Sequence, residues 1–387
     1  MKKFSRKKIC LISSTRADFG IMSKFIETIQ KDKSLNFKLI VTGSHLEKKY
    51  GSTIKEIKDE KIRIFKKIKI LNGKTDKISL LKNSSNILLK FSKELKKLSP
   101  NLIILLGDRY EIFCIAYCAF ILGIPIGHFY GGEVTENSLD DSLRHSITKL
   151  SNFHFASTKK YKRRILQLGE DKSSVFHIGS LSLDNYKKFN FLKKKELEKK
   201  LNISLKKKLI LCTLHPETNN FINFDKKVSE CLNSLKKIED VSIIFTSPND
   251  DLGTDMIIKK IKNFCKTKKN CFFFKSLGRK MYLSFLKEAN IVLGNSSSGI
   301  IETPSIGTFA INLGKRQTGR IKAKNDFDIK FKTKDIYEKI NYILKRKKQK
   351  FYNPYYKFNS VKCAISIIKK LDLNLIKPKK FSDIKYE

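Results

Sequence analysis

Several familiar signals are missing from this chain of 387 residues. Its eight cysteines, at positions 10, 114, 118, 212, 231, 265, 271 and 363, form no C-x-x-C pair, and most lie inside apolar runs. They read as free buried thiols in a reducing compartment. No G-x-G-x-x-G and no Walker sequence occurs, so neither a dinucleotide fingerprint nor a P-loop is supported. The apolar run at 9–12 is too short for the core of a signal peptide, although a basic stretch precedes it. There is no internal repeat.

Acid is scarce as well: 37 Asp and Glu face 81 Lys and Arg, a formal net charge of +44. Lysine is spread over almost every segment, including Lys48-Lys49, 193–195, 206–208 and 345–348, with no recognition motif around any cluster. The excess reads as solvated surface with some attraction for anionic ligands, and not as a nucleic-acid footprint. Between Glu111 and Glu133 there is no charged residue at all, a length that raises the question of a membrane span. Gly123, Pro125, Gly127 and His128 interrupt it, so a buried helix near 110–122 and a buried strand at 124–128 account for it better. The expectation is a soluble cytoplasmic protein without a membrane or nucleic-acid partner.

What is present is a rhythm of short apolar runs alternating with longer amphipathic ones, which predicts βαβα units and a parallel sheet. Strands are expected at 9–12, 37–42, 62–70, 102–106, 124–128, 153–156 and 175–178. The rhythm pauses over 186–208, a linker and helix, and resumes with strands at 209–213, 241–246, 271–274, 291–293 and 308–312. The length suits two domains. These are expected at 1–185 and 186–360, with the helical stretch 361–371 and the rest of 361–387 packing back on the first. The fold class is α/β: two Rossmann-like doubly wound domains facing a cleft.

Chemistry concentrates where strands end, because open α/β sheets place ligands at the carboxyl edge. The run 102–106 ends in Gly107-Asp108-Arg109, followed by Gly131-Gly132-Glu133 and by Asp140-Asp141-Ser142-Leu143-Arg144-His145. A single Gly-Asp would be an ordinary turn; here carboxylates, guanidiniums and an imidazole converge. Ser13-Ser14-Thr15-Arg16-Ala17-Asp18 leaves the first strand and opens a helix, so hydroxyls, N–H groups and Arg16 suit a phosphate. An N-cap accounts equally well for the hydroxyls alone. Gly294-Asn295-Ser296-Ser297-Ser298-Gly299 leaves another strand through small residues that let a diphosphate approach, with Glu302 placed for a ribose diol. Thr213-Leu214-His215-Pro216-Glu217 ends the first strand of the second half, bringing His215 to the same kind of edge. Arg279, Lys280, Tyr282, Lys315, Arg316 and Arg320 are placed to flank phosphates and base or are surface charge, and 314–319 reads as a mobile closing loop.

This series resembles the hydrolysing UDP-N-acetylglucosamine 2-epimerases, in the branch serving sialic-acid-like nonulosonate synthesis. The likeness rests on 13–18, Thr42-Gly43-Ser44-His45-Leu46, 107–109, Gly131 to Glu136, Asp140 to Lys149, Leu214-His215-Pro216-Glu217-Thr218 and 296–304, in order over roughly residues 5–325. It implies a GT-B arrangement with a nucleotide-sugar in the cleft. The implied reaction converts UDP-N-acetylglucosamine and water to N-acetylmannosamine and UDP, by elimination to a 2-acetamidoglucal and then hydration. It implies Asp108, Glu133 and Asp140 as the acid/base set, with Asp141 the competitor of Asp140, and His215 as a further catalytic residue. Arg16, His45, Arg109, Arg144, Tyr282, Ser296, Ser297, Ser298, Gly299, Glu302 and Arg316 are expected to bind substrate or nucleotide. No metal or redox cofactor is implied, and a homodimer is common in such proteins. Relatives commonly carry Glu or His where Tyr130 stands, which shifts weight to Glu133. GDP-N-acetylglucosamine and a UDP-2,4-diacetamido-2,4,6-trideoxyhexose are alternative substrates. A GT-B glycosyltransferase is the rival of another class; it would need an acceptor and would not need the crowded carboxylates.

Overall fold

A computed structural model describes residues 6–48, 53–71, 76–136, 138–184, 186–217, 223–248, 253–373 and 379–383. Lys49 and Thr218, named above, lie outside them. The chain divides into two compact units: Met1–Glu133 with Leu139–Asn185 and Tyr355–Glu387, and Val134–Ser138 with Tyr186–Pro354.

The first unit carries strands β1 Lys7–Ser13, β2 Leu35–Thr42, β3 Lys66–Ile68, β4 Leu102–Leu106, β5 Ile126–Phe129, β6 Phe153–Ala156 and β7 Val175–His177. Helices α1 Arg16–Gln30, α2 Ile54–Asp59, α3 Lys77–Leu98, α4 Tyr110–Ile121, α5 Leu139–Leu150 and α6 Lys159–Gln167 lie between them. The sheet order is β3-β2-β1-β4-β5-β6-β7, every pairing parallel. Because side chains alternate across a strand, Ile9 and Leu11 face one layer and Cys10 and Ile12 the other. The first layer holds Phe19, Phe25 and Ile29 of α1; the second holds Ile87 and Phe91 of α3 with Ile115 of α4. Burial on both faces is why these strands read as continuous apolar runs.

The second unit carries α7 Lys194–Leu201, β8 Lys208–Thr213, α8 Phe224–Lys236, β9 Val241–Thr246, α9 Thr254–Thr267, β10 Cys271–Phe274, α10 Gly278–Glu288 and β11 Ile291–Gly294. The short helices α11 Ser298–Ile301 and α12 Thr303–Ile306 follow, then β12 Phe309–Leu313, β13 Asp326–Ile329 and α13 Thr333–Leu344. Its sheet order is β10-β9-β8-β11-β12-β13, again parallel throughout. The last helix, α14 Ser360–Lys370, returns to the first unit and buries Val361, Ala364, Ile365 and Ile368 in the α1 layer.

Both units are therefore Rossmann-like, doubly wound parallel sheets. Two expectations are corrected. The strand expected over 62–70 shrinks to the three residues of β3, because it is an edge strand whose flanking residues make few ladder bonds. β13 is an additional strand: its sequence, Asp-Phe-Asp-Ile, carries two acids and lies at an edge of the second unit's sheet. Among the described residues no helix is long and apolar enough to cross a membrane.

Candidate active site

In each unit the strand order reverses direction at one point, between β1 and β4 and between β8 and β11. Ligands of doubly wound sheets sit outside the carboxyl ends at that point. In the first unit β4 is followed by Gly107, whose φ of +84° turns the chain sharply and delivers Asp108 to the edge. Asp108 accepts a hydrogen bond from Nη2 of Arg144, in the second turn of α5. Nη1 of the same guanidinium donates to the Glu133 carbonyl at 2.9 Å and to Asp141 Oδ1 at 3.1 Å. Arg144 is only 1% exposed, so its charge is carried almost entirely by these partners. Glu133, 2% exposed, accepts from the Ser157 hydroxyl at 2.8 Å. Asp140 and Asp141 occupy the first turn of α5, where the helix dipole favours negative charge.

A second layer braces this group. His128 has no exposed surface; its Nε2 meets the Gly107 carbonyl at 2.8 Å, so that nitrogen carries the proton, and its Nδ1 lies 3.2 Å from the Thr148 hydroxyl. Burial pushes its pKa down to about 3, leaving it neutral. Gly132, at φ +75°, has the Tyr161 carbonyl where a side chain would begin: a Cβ would stand 2.4 Å from that oxygen. Only glycine lets the chain turn Glu133 inward there. His145 Nε2 lies 3.7 Å from Asp141 Oδ2, and burial, opposed by Asp141, holds its pKa below the usual imidazole value.

The 13–18 loop differs from the expected phosphate cradle. Thr15 caps α1, and the Asp18 carboxylate accepts from the N–H groups of Ser14 at 2.7 Å, Thr15 at 2.8 Å and Phe19 at 2.7 Å. The chain's own carboxylate thus fills the anion position; Arg16, half-buried, is left as the phosphate-binding candidate of the loop. His45 also moves. It is 0% exposed, with Nε2 3.0 Å from Ser13 Oγ and Nδ1 2.8 Å from Thr53 Oγ1, so it braces the loop from behind. Arg109 pairs with the buried Glu111 at 2.5 Å, in the first turn of α4. Tyr130 is buried in the α1 layer, its hydroxyl accepting from the Leu181 N–H at 2.7 Å.

In the second unit the edge is built from small residues and held through backbone. Asn295 Oδ1 accepts from the His215 N–H at 2.6 Å, and Asn295 Nδ2 donates to the His215 carbonyl at 2.8 Å. This ties the end of β8 to the end of β11. Gly294 permits it, since a Cβ there would lie 1.9 Å from the Thr213 carbonyl oxygen. Ser296 and Ser297 are half-buried, Ser298 and Gly299 buried. The helix expected after them is a single turn, α11, and Glu302 joins it to α12, so dipole support for an anion is smaller than expected. Nor is 314–319 built as a free loop: Glu217 Oε1 accepts from the Lys315 N–H at 2.8 Å, and Gln317 and Arg316 donate to the Asn295 carbonyl at 2.8 and 3.2 Å. Tyr282 is half-buried on α10, packed against that helix's apolar layer. The Arg279 guanidinium lies 5.2 Å from the Phe189 ring centre.

The structure thus gathers Asp108, Glu133, Asp141 and Arg144 at one edge and His215, 296–299 and Arg316 at the other. Ser157, Thr148 and His128 were not singled out as site residues. Ser157 follows the last residue of β6, and its place at a strand end was the one available signal. Among the described residues no group of three or more His, Cys, Asp or Glu is placed to hold a metal ion.

Comparison with known proteins bears on these two edges. The sequence profile of the UDP-N-acetylglucosamine 2-epimerase family matches residues 27–369. The GDP/UDP-N,N'-diacetylbacillosamine 2-epimerase (hydrolyzing) of Campylobacter jejuni is 43% identical over 325 residues, 84% of each chain. The polysialic acid biosynthesis protein P7 of Escherichia coli is 36% identical over 368 residues, 94% of each. The crystal structure of UDP-GlcNAc 2-epimerase from Neisseria meningitidis bound to UDP-GlcNAc superposes with a TM-score of 0.80 at 20% identity, covering 94% of this chain and 100% of that one. With a carboxylate set at one switch point, a small-residue loop at the other, a GT-B class fold and relatives matched over most of their length, this chain belongs to the UDP-N-acetylglucosamine 2-epimerase family, among its hydrolysing nucleotide-sugar enzymes.

Proposed function

We propose that the protein converts a nucleoside-diphosphate 2-acetamido sugar and water to the free 2-epimeric sugar and the nucleoside diphosphate. The carrying observation is the set Asp108, Glu133 and Asp141 gathered around the buried Arg144. No carbonyl acidifies the C2 hydrogen, so departure of the diphosphate leads and positive charge builds on the ring. A carboxylate takes the C2 proton while the C1–O bond breaks, its electron pair leaving with the diphosphate, and C1=C2 forms. Water then adds its oxygen to C1, and a proton returns to C2 from the opposite face. Two faces need two proton carriers, which is the use of several carboxylates; each contributes about 10² to 10⁴ in rate. Asp108 and Glu133, with Asp140 or Asp141, are assigned to this set.

Arg144 was expected to bind substrate. Its guanidinium is engaged with the carboxylates and a carbonyl, so its role is to space them. The diphosphate and ribose are assigned to the second unit's edge, with Ser296, Ser297, His215, Arg316 and Glu302.

The relative of 43% identity favours a 2,4-diacetamido-2,4,6-trideoxy sugar on UDP or GDP as substrate. UDP-N-acetylglucosamine, yielding N-acetylmannosamine, is the second reading, favoured by the motif series. Proton NMR in D₂O with each nucleotide-sugar and no acceptor separates them. Release of nucleoside diphosphate with a 2-epimer deuterated at C2 is expected from one; release without deuterium at C2, or turnover only with an acceptor, overturns the reaction.

A further inference from the structure

The helix α5 presents Asp140 and Asp141 with its first turn and Arg144 with its second, so whatever holds its last turn sets where they stand. Lys379 does this from far along the chain. Its ammonium donates to the carbonyls of Thr148 at 3.1 Å, Lys149 at 2.7 Å and Ser151 at 2.6 Å, at the end of α5 where the helix dipole favours a cation. It also pairs with Glu170 Oε2 at 2.7 Å. The Glu170 side chain is 1% exposed and takes Lys149 at 2.8 Å and His154 Nε2 at 3.0 Å as well. Burial alone would raise the Glu170 pKa; His154, Lys149 and Lys379 outweigh it and bring the group to about 2. Further on, the Ser382 N–H donates to the Gly169 carbonyl at 2.9 Å, and the Phe381 ring covers Gly169 so closely that a Cβ there would lie 2.4 Å from it. The Lys149 ammonium lies 5.1 Å from that ring's centre.

Thr148 links this contact to the chemistry. Its carbonyl accepts from Lys379, and its hydroxyl meets His128, which donates to Gly107, the residue before Asp108. Four residues earlier on the same helix, Arg144 binds Asp108 and the Glu133 carbonyl. We propose that residues 379–383 form a clamp on α5 and that Lys379 is a positioning residue for proton transfer, an inference that rests on the carboxylate assignment above. The contacts are all within the first unit, and none involves the diphosphate edge.

The test compares full-length wild type, K379A, K379R and F381A in turnover, UDP affinity by calorimetry and amide hydrogen exchange. A misplacement near 1 Å is worth up to about 10² in rate. K379A is expected to lower kcat about 10- to 100-fold with KM and UDP affinity within twofold, to speed exchange locally over 144–151, and to be partly rescued by K379R. F381A is the milder variant should K379A fold poorly. Turnover within twofold of wild type in both variants overturns the clamp, as does faster exchange across the whole unit with UDP affinity falling in step. Inactivity of wild type on every nucleotide-sugar tried would instead sink the functional assignment, while localised exchange over α5 would still decide the clamp.

Discussion

The two switch-point edges are built from opposite materials. That of the first unit is charged: one buried guanidinium shared between Asp108, Asp141 and the Glu133 carbonyl, with Glu133 itself held by Ser157. That of the second is a run of small neutral residues whose shape comes from one amide, Asn295, bonded twice to the His215 backbone. Buried charges fixed by other charges suit proton transfer, because their positions are set before the substrate arrives. A neutral loop with little side chain suits a ligand that brings its own charge. One fold used twice carries a charged edge in one unit and a small-residue edge in the other.

The strongest way to break the comparison is Asp108→Asn. It should lower kcat by about 10² to 10⁴ while leaving UDP affinity within a few-fold; steady-state kinetics with calorimetry checks it, and unchanged turnover removes Asp108 from the set. The reciprocal change, Asn295→Ala, strips both backbone bonds from the second edge and should weaken UDP binding by about 1 to 3 kcal/mol, with a smaller change in kcat at saturation. Equal losses in the two parameters would mean that the division of labour is false.

Acid should act on the units with opposite sign. Burial depresses the pKa of five imidazoles, His45, His128, His145, His154 and His177, all in the first unit. His128, at about 3 against an ordinary 6.5, is neutral when folded while its unfolded counterpart binds a proton. Stability therefore falls as pH drops from about 6.5 toward 3, at about 1.4 kcal/mol per unit for such a group. In the second unit burial raises the Asp326 carboxyl to about 7 from an ordinary 3.8, so the folded state holds the proton there. Its contribution is full below pH 3.8 and is lost as pH rises through 7. Hydrogen exchange resolved by unit, at pH 7 and pH 5, should show the first unit loosening, and D326N should remove any gain in the second; parallel responses would refute the contrast. Smallest is Ser157→Ala, which deprives Glu133 of one donor and should cost about 0.5 to 1.5 kcal/mol in kcat, a several-fold effect, with no change in UDP affinity.

Much of this was legible in the sequence. The strand runs and the Asp108, Glu133, Asp141 and Arg144 series stand out because buried parallel strands are uniformly apolar and polar residues at their ends are conspicuous. A histidine after a strand looks alike in sequence whether it points forward or back into the loop, and only the structure shows His45 meeting Ser13 and Thr53. The bonds of Asp18 were likewise not legible: residues that could bind a phosphate also bond one another, and spacing does not say which wins.

By itself, then, the sequence determined the elements, their alternation and the supply of acids at strand ends, since these follow from local periodicity and residue type. The tertiary structure decided which groups satisfy which. Asp18 takes the loop's N–H groups, Arg144 is spent on carboxylates, Ser157 reaches Glu133 and Lys379 reaches α5. Each of those bonds depends on local geometry or on strand order across long separations. Hydrogen bonds form between neighbours in space, and no short-range pattern encodes a neighbour 228 residues away.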